Sequence, residues 1–105
     1  MVSIETSVFT RRVRALLDDD EYRLLQAALV QNPEAGPVIA ASGCLRKIRW
    51  RASGRGTSGG VRVVYYWAVA HAQLLLLMIY AKNEQDDLSP DQLKLLKKAV
   101  EEECS

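Results

Sequence analysis

Residues 44–67, CLRKIRWRASGRGTSGGVRVVYYW, read as two β-strands joined by a glycine-rich loop. The stretch holds six positive side chains, Arg46, Lys47, Arg49, Arg51, Arg55 and Arg62, and neither Asp nor Glu, so nothing inside it neutralises them. Side chains alternate along a strand, which sends Leu45, Lys47, Arg49 and Arg51 to one face and Arg46, Ile48 and Trp50 to the other. One face is therefore a cationic row, and such a row suits a polyanion, because phosphate neutralisation by Lys and Arg dominates nucleic-acid affinity.

Working outward, the expected strands run from Leu45 to Arg51, from Val61 to Ala68 and from Gln73 to Lys82, with Ala70-His71 in the turn between the last two. Leu74 to Ile79 is apolar on both faces, the mark of a central strand that needs helix on one side and cover on the other. On the N-terminal side, Val2 to Glu5 alternates as a short strand. Phe9, Val13, Leu16 and Leu17 then fall at helical spacing with Arg11, Arg12 and Arg14 opposite. The Asp18-Asp19-Asp20 run ends that helix and opens the next, whose stripe is Tyr22, Leu25 and Leu29, supported by Leu24 and Ala28, and which Asn32-Pro33 stops. Residues 34–43 are a connection that touches the sheet at Val38-Ile39. Ser89-Pro90-Asp91-Gln92 opens a last helix with stripe Leu93, Leu96 and Val100. The expected fold is α+β: a small antiparallel-rich sheet with an N-terminal helical hairpin on one face and a C-terminal helix, all in one domain spanning residues 1–105.

The formal net charge of +1 conceals a segregation. Residues 35–83 hold seven of the 14 basic residues and none of the 13 acidic ones, leaving that middle at +7 and the flanks at −6. The local field at a cleft, not the net charge, steers a ligand. The two cysteines, Cys44 and Cys104, lack metal-ligand company, and no signal-peptide pattern opens the chain. Those features predict a reduced cytoplasmic protein without a structural disulfide. The longest apolar run is far below the roughly 20 residues of a membrane helix, so no membrane partner is expected.

One His and two distant Cys do not make a metal site, and no cofactor motif appears. Gly54, Gly56, Gly59 and Gly60 lie between strands, so they are hairpin glycines and not a phosphate-cradling loop. His71, in a predicted turn, reads as a solvated histidine. Lys47, Arg49, Arg51 and Arg62, with Tyr80 and Lys82 at the end of the central strand, are the candidate anion site on an open sheet face, and Arg46 and Arg55 add charge around it. A solvated edge needs only a charge or two, not a window emptied of acids. Trp50, Trp67 and Tyr65 share a face with Ile48 and Val63 and read as core, whereas Tyr66 shares a face with Arg62 and either stacks on a base or packs.

The segments LRKIRW, GGVRVVYYW, IYAKNE and DLSPDQ, with NPEAGPVI before the first basic strand, in this order and spacing resemble the RelE/ParE toxin superfamily, most closely its HigB-type, RelE-like branch. The resemblance covers nearly the whole chain. It implies the toxin of a bacterial type II toxin-antitoxin system: a metal-independent, ribosome-dependent endoribonuclease that cuts mRNA in the A site and inhibits translation. It also implies a cognate antitoxin, usually a helix-turn-helix DNA-binding protein, and operator DNA bound through the toxin-antitoxin complex. Position by position, Lys47 and Arg49 match the basic pair on the family's first catalytic strand, Arg51 a further basic position, and Arg62 the arginine that binds the scissile phosphate. RelE has an arginine where this chain has Asn83 and a late tyrosine where it has Leu88-Ser89; Lys82 and Tyr80 stand nearest to replace them. Relatives also carry basic residues in the loop where this chain has Thr57-Ser58.

In such cleavage the RNA's own 2′-OH attacks the adjacent phosphate, so in-line positioning is much of the task. Arg62 and a neighbour on the first basic strand would stabilise phosphoryl charge, and a lysine or Tyr80 would serve as base. Two other readings share the fold: a ParE-like gyrase-inhibiting toxin, and a non-catalytic nucleic-acid-binding module. A retained Lys47, Arg49, Arg62 row favours the nuclease.

Overall fold

The apolar run Leu74–Ile79 lies in the middle of a four-stranded sheet. The computed structural model describes residues 1–52 and 59–100. Its strands are β1 (Val2–Glu5), β2 (Arg46–Trp50), β3 (Val61–Ala68) and β4 (Gln73–Ala81), in the order β1-β4-β3-β2. β1 runs parallel to β4, and the other pairs are antiparallel. Helices α1 (Ser7–Leu16) and α2 (Asp19–Gln31) form the expected hairpin on one face, and α3 (Pro90–Val100) covers part of the other. The fold is thus α+β as the sequence indicates, and α3 supplies the second cover that the apolar run requires.

β4 serves both faces through a bulge. Val64 pairs with Met78 and Tyr65 with Leu76, which leaves Leu77 without an opposite residue. Leu74, Leu76, Ile79 and Ala81 join the helical-hairpin core with Phe9, Val13, Leu25 and Leu29, while Leu77, Met78 and Tyr80 join the core under α3 with Leu45, Val64 and Val100. Leu77 and Met78 are sequence neighbours on one face. Strict alternation would instead have put Leu77 and Ile79 together, so the bulge resets the phase and brings Tyr80 beside Arg62.

Because β1 pairs only with Gln73–Leu76, the rest of that edge of β4 would be left bare. Side chains take over where β1 stops. Thr6 Oγ1 donates to the Leu77 carbonyl at 2.9 Å and accepts from the Phe9 N–H at 3.1 Å, capping α1 with the same hydroxyl. Arg12 Nε donates to the Ile79 carbonyl at 2.8 Å, and the Ala81 N–H donates to Glu84 Oε1 at 2.8 Å. Arg12 and Glu84 are themselves paired at 2.9 Å. Three backbone groups that a neighbouring strand would satisfy are thus satisfied without one.

The helix starts follow their capping chemistry. Asp18 accepts from the Glu21 N–H while the Glu21 carboxylate accepts from the Asp18 N–H, and Ser89 and Gln92 repeat the arrangement at α3. Leu25 and Leu29 are buried, but Leu24 is 64% exposed, so it does not support the stripe of α2 as its sequence position suggested. It lies one residue from Leu25, about 100° round the helix. The connection at 34–43 touches the sheet as expected: Val38 bridges Arg46, and the Ile39 N–H donates to the Leu45 carbonyl at 2.7 Å. β2 ends at Trp50 and β4 at Ala81, each one residue short of expectation, and the turn between β3 and β4 is a 3-10 turn over Val69–His71.

Cys44 is disulfide-bonded, which corrects the expectation of a chain without a structural disulfide. The other cysteine, Cys104, lies outside the described residues. Among the described residues no helix is long and apolar enough to cross a membrane.

Replacing Arg12 with Ala leaves the Ile79 carbonyl and Glu84 without their partner and is expected to lower unfolding stability by about 1–2 kcal/mol in urea denaturation. Glu84 is held below its usual value by the Ala81 N–H and then by Arg12. Its stabilising contribution is therefore present above the ordinary glutamate range and lost as pH falls through its folded value. Glu84→Gln is expected to flatten that part of the acid-side stability profile.

Candidate nucleic-acid interface

Alternation and register assemble the site from three strands. Arg49 on β2 lies directly opposite Arg62 on β3, and Arg62 directly opposite Tyr80 on β4. Directly opposed residues share a face, with Cβ atoms roughly 5 Å apart, so the three form one row across the sheet. Lys47 faces the same way two positions along β2, opposite Val64. The cationic row read from the sequence is therefore present.

The face is not open throughout, as the sequence reading supposed. Leu88, Leu93 and Leu96 pack onto Val64, Leu77 and Tyr80, which closes the part of the face under α3. Tyr80 is 0% exposed and Arg62 only 6%. Beyond that cover, Arg49 and Arg51 remain exposed and line a cleft of about 410 Å³ together with Arg62 and the backbone of Gly59 and Gly60. Arg62 Nη1 donates to the Gly59 and Val61 carbonyls at 3.2 and 3.3 Å, so the guanidinium forms the floor of the cleft and the other arginines its rim. Gly60 is fixed by geometry: its φ is +79°, and a Cβ there would lie 2.6 Å from the Trp50 carbonyl oxygen. The Lys82 N–H donates to the Gly60 carbonyl at 3.1 Å, placing exposed Lys82 beside the same turn.

Like charges directly opposite each other destabilise a sheet. The ion pairs among the described residues are Arg12–Glu84, Arg23–Asp20 and Lys47–Asp87, so no described carboxylate relieves the Arg49–Arg62 juxtaposition. Positive charge at this end of the sheet is therefore not offset by any described carboxylate.

Lys47 behaves differently. Its Nζ lies 3.0 Å from Asp87 Oδ1, which corrects the expectation that the row has no internal partner. The Lys47 ammonium, then the Leu88 N–H, holds the Asp87 carboxyl below its usual value. The sequence reading missed Asp87, which is 40 residues from Lys47 and was visible only as an acid ahead of the α3 cap. Burial, then the Asp87 charge, pushes the Tyr80 phenol up to about 12, while Arg62 opposes the rise. Its buried hydroxyl lies beside the Asp87 carboxylate without a hydrogen bond of full geometry among the described residues. A phenol so placed is protonated at neutral pH and can donate a hydrogen bond.

The remaining candidates fall outside the row. Arg46 points to the connection, donating to the Gly36 and Glu34 carbonyls at 2.9 and 3.3 Å. Tyr66 is half-buried and packs against the core under α3. Tyr65, Trp50 and Trp67 pack in the helical-hairpin core as expected. Arg55 and Thr57-Ser58 lie outside the described residues. Among the described residues no three His, Cys, Asp or Glu side chains gather into a metal-binding group. No known family model matches the chain.

In an alkaline titration followed at 295 nm, the difference between the wild type and Tyr80→Phe is expected to show a step near pH 12 and none near the ordinary tyrosine value of 10. Keeping this phenol neutral contributes stability that is present below pH 10 and lost as pH rises through about 12.

Proposed function

We propose that this chain is a RelE-like toxin of the HigB type, a ribosome-dependent endoribonuclease that cleaves mRNA and inhibits translation. The observation that carries the reading is the Arg49–Arg62 juxtaposition, floored by a buried guanidinium and open to a cleft. A fold that needed only solubility would not place two like charges opposite each other. The sequence resemblance adds the substrate class, the antitoxin partner and, through it, operator DNA. The same row favours this reading over gyrase inhibition.

In the proposed reaction the 2′ oxygen forms a bond to phosphorus, the bond from phosphorus to the 5′ oxygen breaks, and that oxygen takes up a proton. The products are a 2′,3′-cyclic phosphate and a 5′-OH. Arg62 and Arg49 stabilise the non-bridging oxygens as charge builds on them, and Tyr80 contributes a neutral hydroxyl beneath. Lys47 enters by exchanging Asp87 for a phosphate. The translating ribosome presents the mRNA in line, which reduces the chain's share of the work to charge and positioning. The proposed site of action is the cytoplasm, where translating ribosomes present mRNA.

Arg62→Lys keeps the charge but loses the planar fork, and is expected to lower cleavage about a hundredfold. Arg49→Ala is expected to lower it at least about tenfold and to reduce growth inhibition, with the circular dichroism spectrum unchanged. Full toxicity in either soluble variant contradicts the assignment.

A further inference from the structure

The outer edge of β1 lies at the opposite end of the sheet from β2 and the basic row. No described strand pairs with it. The Val2 N–H donates to the Ala72 carbonyl and the Thr6 N–H to the Leu76 carbonyl, so even-numbered residues turn their backbone groups inward to β4. Ser3 and Glu5 then present N–H and C=O outward, since backbone direction alternates along a strand. Of the devices that guard natural edges, β1 has its short length and the inward-turned Glu5, but no Lys, Pro or bulge. Its one charged side chain, Glu5, is engaged with Tyr22 and Thr10.

The side chains along this edge are apolar and uncovered. Val2 is 60% exposed and Ile4 42%, and Ile4 shares the α3 face with its partner Leu75. Two residues further on begins a groove lined by Thr6, Val8, Leu77, Met78 and Leu96, with Leu95, 69% exposed, at its rim.

We propose that this edge is a homodimer interface in which β1 pairs antiparallel with β1 of a second copy. A two-fold axis at Ile4 sets Ser3 opposite Glu5 of the other copy on both sides of the axis, so the four outward residues hydrogen-bond in two narrow pairs. It also sets Ile4 against Ile4 as the close, non-hydrogen-bonded pair. Met1, Val2, Ile4, Val8 and Leu95 together expose on the order of 400 Å² per copy, so the dimer buries about 800 Å² of apolar surface in addition to the strand backbone. That is below the roughly 1,200–2,000 Å² of stable complexes and predicts a weak, reversible dimer. The two sheets become one continuous sheet, with a basic row at each far end and both rows unobstructed.

Sedimentation equilibrium of the full chain with its Cys44 disulfide intact, from about 5 to 500 µM, tests this. The average mass is expected to rise from the 11.7 kDa monomer towards twice that value. Ile4→Lys, a charge on the edge, is expected to weaken association at least about tenfold. Leu24→Lys, on the exposed face of α2, is expected to leave it unchanged. A wild type monomeric throughout, an Ile4→Lys chain that dimerises as well as the wild type, or equal loss in Leu24→Lys overturns the proposal.

Discussion

β4 is apolar on both faces, and the rest of the molecule answers that constraint. Burying Leu74, Leu76 and Ile79 requires the helical hairpin, and burying Leu77, Met78 and Tyr80 requires α3. Each apolar side chain so covered contributes roughly 1.5–3 kcal/mol relative to exposure, which dominates any single polar contact in the chain. The bulge at Leu77 lets one strand serve both cores. Thr6, Arg12 and Glu84 make the strand's bare edge tolerable by bonding the groups that β1 does not reach.

The site follows from how far that cover extends. α3 and the segment leading into it close the face over Val64, Leu77 and Tyr80, and end before Arg49 and Arg51. Arg62 sits at the boundary, packed into the sheet yet forming part of the cleft. The buried floor restrains the guanidinium, and the exposed rim keeps Arg49, Arg51 and Lys82 accessible. A site that works by charge and position gains from this division, because a preorganised cation loses less rotamer freedom when the anion arrives.

Much of the fold was legible in local signals. The Asp18 and Ser89 capping boxes marked two helix starts, and alternation along LRKIRWR placed the arginine row and the tryptophan on opposite faces. Most of the illegible parts depend on long-range partners. Nothing in LLLLMI says where the phase resets, because the bulge is set by register against Val64 and Tyr65. Asp87 meets Lys47 only after β2, β3 and β4 are in place. The disulfide at Cys44 was hidden by two cysteines far apart in sequence, and Leu24 was misplaced by treating an apolar residue beside the stripe as part of it. The arginine row was the most readable feature of the candidate site, since it needs only period two and the absence of acids.

The central claim is that the row acts on RNA presented by the ribosome. Primer extension on a defined mRNA in a translation extract, with purified protein and with or without ribosomes, tests it most directly. The account predicts cuts within codons only when ribosomes are translating. No cuts in either condition, or the same cuts on naked RNA, would contradict it.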